Sequence, residues 1–203
     1  MLGNLFIVAA PSGAGKTSLV NALLEKQNDI VLSVSHTTRA AREGEVDGKD
    51  YFFVSQEQFS SMRGEGAFLE SATVFDNSYG TSSEAVFSQL RSGKDVILEI
   101  DWQGAEQVRK NFPENISIFI LPPSKDTLEQ RLKGRGQDND EVIARRMRDA
   151  ENEMSHYVEF EYLIVNDDFD EALNNLMAII SAKRHTLAIQ TQAQARLLEE
   201  LLA

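Results

Sequence analysis

Cysteine is absent from the 203 residues. Disulfides, thiolate nucleophiles and cysteine-ligated metals are therefore excluded as sources of stability or chemistry. Positive charge is scarce: 20 Lys and Arg stand against 32 Asp and Glu, a net charge of -12. Such a surface repels a phosphate backbone, so nucleic acid is not an expected partner. Apolar residues never run to the roughly 18 a membrane span needs. The short apolar stretch from Leu5 to Ala10 has no basic leader before it and reads as a strand, not a signal peptide. No membrane partner and a cytoplasmic location are the expectations. Internal repeats and low-complexity tracts are also missing.

What is present is the balance of a folded α/β protein, 42% hydrophobic and 26% charged. Leu5 to Ala10 fits a central parallel strand, and Leu19, Val20, Leu23 and Leu24 recur at helical spacing in a helix expected over 16–26. Further core strands are expected at 96–101, 116–121 and 162–165, with helices near 103–111, 124–133 and 140–154. This alternation predicts a parallel sheet covered on both faces. Residues 33–82 break the rhythm. Short strand-like pieces, an Asp47-Gly48 turn signal and a Ser55…Gln58 capping box predict a small mixed-sheet insert. The polar stretch 131–148, with its arginines and glycines, reads as a flap. A helical pattern starts at Asp168…Glu171 and runs to the end, where its leucines can meet the core or a second copy of the chain.

Ala10-Pro11-Ser12-Gly13-Ala14-Gly15-Lys16-Thr17 matches the phosphate-binding loop pattern except for Ala10 at the first glycine. Gly13 and Gly15 allow the backbone to turn its N–H groups inward around phosphate. The following helix contributes partial positive charge at its N-terminus. Lys16 can reach the β- and γ-phosphates, and the Thr17 hydroxyl can ligate Mg²⁺. A plain glycine turn would leave Lys16 and Thr17 unexplained. Asp101, closing an apolar strand, is the candidate acid for the metal, directly or through water. Between residues 35 and 51, Arg39 and Arg42 offer forked donors to a doubly charged phosphate and Tyr51 adds a hydroxyl.

This segment and the phosphate loop together resemble guanylate kinase. So do Tyr79-Gly80-Thr81, Asp101-Trp102-Gln103-Gly104, Pro122-Pro123-Ser124, Gly134-Arg135-Gly136 and Val165-Asn166-Asp167-Asp168, all in family order from about residue 5 to 180. The resemblance implies a three-layer P-loop core (1–32, 96–125 and 156–203), an inserted mixed α+β GMP-binding subdomain (33–95) and a helical lid (126–155). It implies ATP and GMP as substrates, dGMP as a further acceptor, and Mg²⁺ with the ATP. The GMP phosphate would meet Ser35, Arg39, Arg42, Tyr51 and Tyr79, and the guanine would meet Glu70, Thr81 and the acid at 99. Lid arginines Arg135 and Arg146, with Arg131 as a further candidate, would reach the transferring group. Asn166 and Asp167 would lie at the ATP base. The family commonly has aspartate where this chain has Glu99.

Elementary chemistry supports the guanine assignment. A carboxylate such as Glu70 accepts from the N1–H and the 2-amino group together, while O6 needs a hydroxyl donor, Thr81 or Ser35. Adenine would present an acceptor to that carboxylate. Phosphate oxygens are already ionised, so no general base is needed, and His36 and His156 read as surface or packing residues. Catalysis reduces to positioning two polyanions and supplying charge from Lys16, Arg135, Arg146 and Mg²⁺. Two rivals are a P-loop kinase for a ribose bisphosphate, which needs no guanine-reading set, and a non-catalytic guanylate-kinase-like scaffold, which generally has a degraded phosphate loop.

Overall fold

The computed structural model describes residues 2–74, 76–134 and 140–203. In chain order it opens with β1 (Leu5–Ala9), α1 (Lys16–Lys26), β2 (Ile30–Leu32), β3 (His36–Thr37), β4 (Phe52–Phe53) and α2 (Gln56–Gly64). There follow β5 (Phe68–Val74), β6 (Asn77–Ser82), α3 (Ser83–Arg91), β7 (Asp95–Glu99), α4 (Trp102–Asn111) and β8 (Ile116–Leu121). The chain closes with α5 (Lys125–Gly134), α6 (Asp140–Ser155), β9 (Tyr162–Val165), α7 (Phe169–Arg184), α8 (Leu187–Ala193) and α9 (Ala195–Leu202).

Five strands form a sheet in the order β2-β7-β1-β8-β9, and every pairing in it is parallel. The period-2 pleat sorts β1 between two cores. Phe6 and Val8 pack with Leu19, Val20 and Leu23 of α1 and with Leu173 and Leu176 of α7. Leu5 and Ile7 face the other way, toward Val86 and Leu90 of α3 and Ala105 and Val108 of α4. Helix, sheet, helix are the three layers expected. Covering both faces leaves the strands no polar side, which is why β1 reads as a continuous apolar run.

The insert carries a second sheet, ordered β4-β3-β6-β5. The Ser55–Gln58 capping box forms as expected at the start of α2, each side chain accepting from the other residue's N–H. Gly48 turns the chain at a φ of 76° and donates its N–H to the Tyr51 carbonyl at 2.8 Å. The strand after this turn, β4, runs parallel to β3, so the loop between them crosses over instead of closing a hairpin. A register shift between Phe68 and Glu70 sets Glu70 directly opposite Thr81. Bulges of this kind re-aim side chains at the edge of a site. Here Leu69 enters the core while Glu70, its neighbour, turns toward the cleft.

Helices α5 and α6 form a third unit with its own small core of Leu128, Leu132, Ile143 and Ala150. The helical pattern at the C-terminus breaks at Gln194 into α8 and α9, and Leu187, Leu197, Leu201 and Leu202 are exposed on it. Among the described residues no helix is long and apolar enough to cross a membrane.

Candidate active site

A cleft of about 1250 Å³ separates the phosphate loop from the insert sheet and is bounded on the lid side by α6. One wall is the loop from Ala10 to Thr17. Its glycines Gly13 and Gly15 adopt φ of 97° and 94°, which an L side chain would resist. A Cβ on Gly15 would also stand 2.3 Å from the Asn166 amide nitrogen. Helix α1 has Gly15 as N-cap, no side-chain cap and no acid in its first turn, whereas α2, α3 and α7 each have both a capping side chain and an acid. The N-terminal amides of α1 are thereby kept for an external anion. Lys16 Nζ donates to the Ile100 carbonyl at 3.2 Å, across the mouth of the loop.

The acids at the end of β7 have different partners. Asp101 is the N-cap of α4: its Oδ1 accepts from the Gly104 N–H at 2.9 Å and its Oδ2 from Gln103 Nε2 at 3.0 Å. The acid touching the Thr17 hydroxyl is Glu99, which the resemblance sets at the guanine base. Both acids line the cleft.

On the insert side, Ser35, Arg39, Arg42, Tyr51, Glu70 and Tyr79 all face the same cleft. Arg39 holds Glu45 in a two-pronged pair at 2.7 and 3.0 Å and lies 5.4 Å from the centre of the Tyr51 ring. Hydrogen bonding to Arg39 lowers the Glu45 pKa. Burial, assisted by the negative charge of Glu99, pushes the Tyr51 phenol up to about 12, so it remains a donor at neutral pH. Glu70 is only 3% exposed and accepts from the Thr81 hydroxyl at 2.6 Å. Ser35 Oγ lies 3.5 Å from Thr81 Oγ1, completing a strip of two hydroxyls and a carboxyl. Burial raises the Glu70 pKa to about 7, against the lowering effect of the Thr81 hydrogen bond.

Helix α6 contributes Arg146, whose Nη1 donates to Ser12 Oγ at 3.4 Å. Two turns further along α6, Glu153 accepts the Ser12 N–H at 3.1 Å, and burial raises its pKa. Sequence reasoning missed Glu153, although its helical spacing from Arg146 puts the two on one face. Arg135 lies outside the described residues. Asn166 and Asp167 do not line the cleft. Asn166 is buried beneath the loop and donates to the Ala14 carbonyl at 2.8 Å, while Asp167 is exposed. Arg131 donates to the Asn166 carbonyl at 3.0 Å, tying α5 to that support. His36 and His156 take packing roles, His36 stacked on Phe52 at 4.8 Å and His156 on Trp102 at 3.6 Å.

The guanylate kinase family model matches residues 3–183. The guanylate kinase of Salmonella typhimurium is 58% identical over 203 residues, covering 99% of this chain and 98% of that protein. That of Legionella pneumophila is 55% identical over 201 residues, covering 99% and 96%. Among solved structures, guanylate kinase from Anaplasma phagocytophilum superposes with a TM-score of 0.78 at 33% identity, covering 97% of this chain and 96% of that one.

Proposed function

Since the chain belongs to the guanylate kinase family and transfers the γ-phosphoryl group of ATP to GMP, we propose how its residues divide that task. ATP phosphates lie in the loop 10–17, on the uncapped start of α1, with Lys16 bridging toward the transferred group. GMP lies on the insert, its phosphate between Arg39, Arg42, Tyr51 and Tyr79 and its base against Glu70. The observation that carries this reading is the pairing of an uncapped anion site with a buried carboxyl–hydroxyl strip across one cleft.

The Thr81 proton is committed to Glu70, so Ser35 is the hydroxyl with a proton to give guanine O6. The Arg39–Glu45 pair opens toward the acceptor phosphate on binding, exchanging one carboxylate for a dianion. Arg146 enters with the lid, and we assign Arg135 the same part. Arg131 and Asn166 act from behind the loop, and Asp167 remains the candidate contact to the ATP base. With nucleophile and leaving group both held, in-line transfer needs orientation and charge more than proton removal. Closure of α6 excludes the water that would otherwise take the phosphoryl group.

Magnesium fits the donor set. The Thr17 hydroxyl meets a carboxylate, with a second acid two residues on, and among the described residues no group of three or more acids or histidines is placed to hold a metal ion by itself. That suits an ion which takes few protein ligands and completes its shell with phosphate and water. Thr17, with Glu99 and Asp101, would hold it, and it would neutralise charge between the β- and γ-phosphates. The reading extends to dGMP as acceptor, a cytoplasmic site of action and a homo-oligomer through α8 and α9.

The test is a coupled ADP-release assay with GMP, dGMP, AMP, CMP and UMP. GMP and dGMP should be used and the others barely. Lys16→Ala should abolish turnover while GMP still binds. Equal use of all acceptors would overturn the assignment of Glu70.

A further inference from the structure

Gly104 carries no reactive group, yet its position bears on acceptor choice. It is the third residue of α4, where its N–H donates to the Asp101 cap, and it faces β5. A Cβ built there would stand 2.5 Å from Glu70 Oε2 and 3.0 Å from Glu70 Cδ. Its backbone φ is not positive. The demand for glycine is therefore one of space, not of backbone conformation.

Normally the end of a glutamate side chain would swing aside. Glu70 is held by the Thr81 hydroxyl at 2.6 Å and is almost fully buried. Nor is α4 free to retreat. One turn along, Gln107 Oε1 accepts the Ser71 N–H at 3.1 Å and Gln107 Nε2 donates to the Ser71 carbonyl at 2.9 Å. Both main-chain polar groups of the residue after Glu70 are thus fastened to this helix. Gln103 adds a longer bond to the Thr73 carbonyl at 3.5 Å.

We propose that Gly104 is a positioning residue for guanine recognition: the missing side chain is the seat in which the Glu70 carboxyl rests so that its oxygens face the base. This rests on the reading of Glu70 as the partner of guanine. In Gly104→Ala the added methyl and the carboxyl compete for one volume. With the helix fastened at Gln107, the carboxyl is what yields.

The experiment is a double-mutant cycle on the full chain: wild type, Gly104→Ala, Glu70→Ala and the double variant, with GMP affinity by calorimetry, KM for GMP and for ATP, and thermal melting. Gly104→Ala should weaken GMP about tenfold to a hundredfold, the scale of losing aligned hydrogen bonds from a buried charged acceptor, with KM for ATP within about twofold of wild type. In the Glu70→Ala background the same substitution should cost nothing further, because the competitor for the space is gone. If Gly104→Ala leaves GMP affinity intact while Glu70→Ala loses it, the seat is refuted and the reading of Glu70 stands. If Glu70→Ala keeps GMP affinity, the reading itself fails. Should Gly104→Ala not fold, a folded double variant would still support the clash, and an unfolded one would overturn it.

Discussion

Lowering the pH from about 8 to about 6 should weaken GMP binding about tenfold through Glu70 alone. The carboxyl is buried and its pKa stands at about 7. In the proposed pose guanine presents two donors to it, so the ionised form is the one that would receive the base. Affinity should follow the ionised fraction, which falls from about nine-tenths near pH 8 to about one-tenth near pH 6. The GMP phosphate, with its own second pKa near 6, adds a factor of about two over the same range. Glu70→Gln separates the two effects, since it retains phosphate titration and lacks the carboxyl step. Calorimetry in two buffers of different ionisation heat should also find about one more proton released per GMP bound near pH 6 by the wild type than by Glu70→Gln. The sign for folding is the reverse of that for an ion-paired carboxylate. A raised pKa means the folded state holds the proton more tightly, so stability of the free protein should fall between pH 4.5 and 7, by about 3 kcal/mol from this group. A flat affinity profile, or the same slope in Glu70→Gln, would refute the reasoning.

Two further substitutions test the framework behind the cleft. Asn166→Ala removes the buried amide that holds the Ala14 carbonyl and should cost about 1–3 kcal/mol, seen as a lower melting temperature and weaker ATP binding with GMP binding unchanged. Arg184→Ala strips the cation from Asp95, which is 5% exposed and keeps its bonds from Asn4, and should cost about 1–3 kcal/mol by urea denaturation without altering KM for either nucleotide.

The parallel core and the phosphate loop were legible in the sequence because local patterns set them. β1 needed only its apolar run and α1 only its spacing. The capping box of α2 was equally local. What escaped depended on partners distant in the chain. The Asp47-Gly48 turn says nothing about direction, and β4 runs parallel to β3 because their pairing follows a crossover. Asp101 and Glu99 look interchangeable at the end of a strand. Only the start of α4 makes one a cap, and only the approach of Thr17 engages the other. Asn166 carries no mark of burial, since what it supports lies 152 residues away. Chemistry alone left Thr81 and Ser35 tied as donors to O6, and the proposal for Ser35 rests on a single hydrogen bond, from Thr81 to Glu70, that no local pattern announces.

The paired bonds from Gln107 to Ser71 have a mechanical consequence. They pin β5 to α4, so on the proposed reading a swing of the insert toward the phosphate loop would turn about β5 instead of sliding past it. Travel then grows with distance from that pin, and is greatest at the arginine-bearing tip around residues 39–45. With GMP placed as proposed, the base would stay near the axis while its phosphate moved toward the loop.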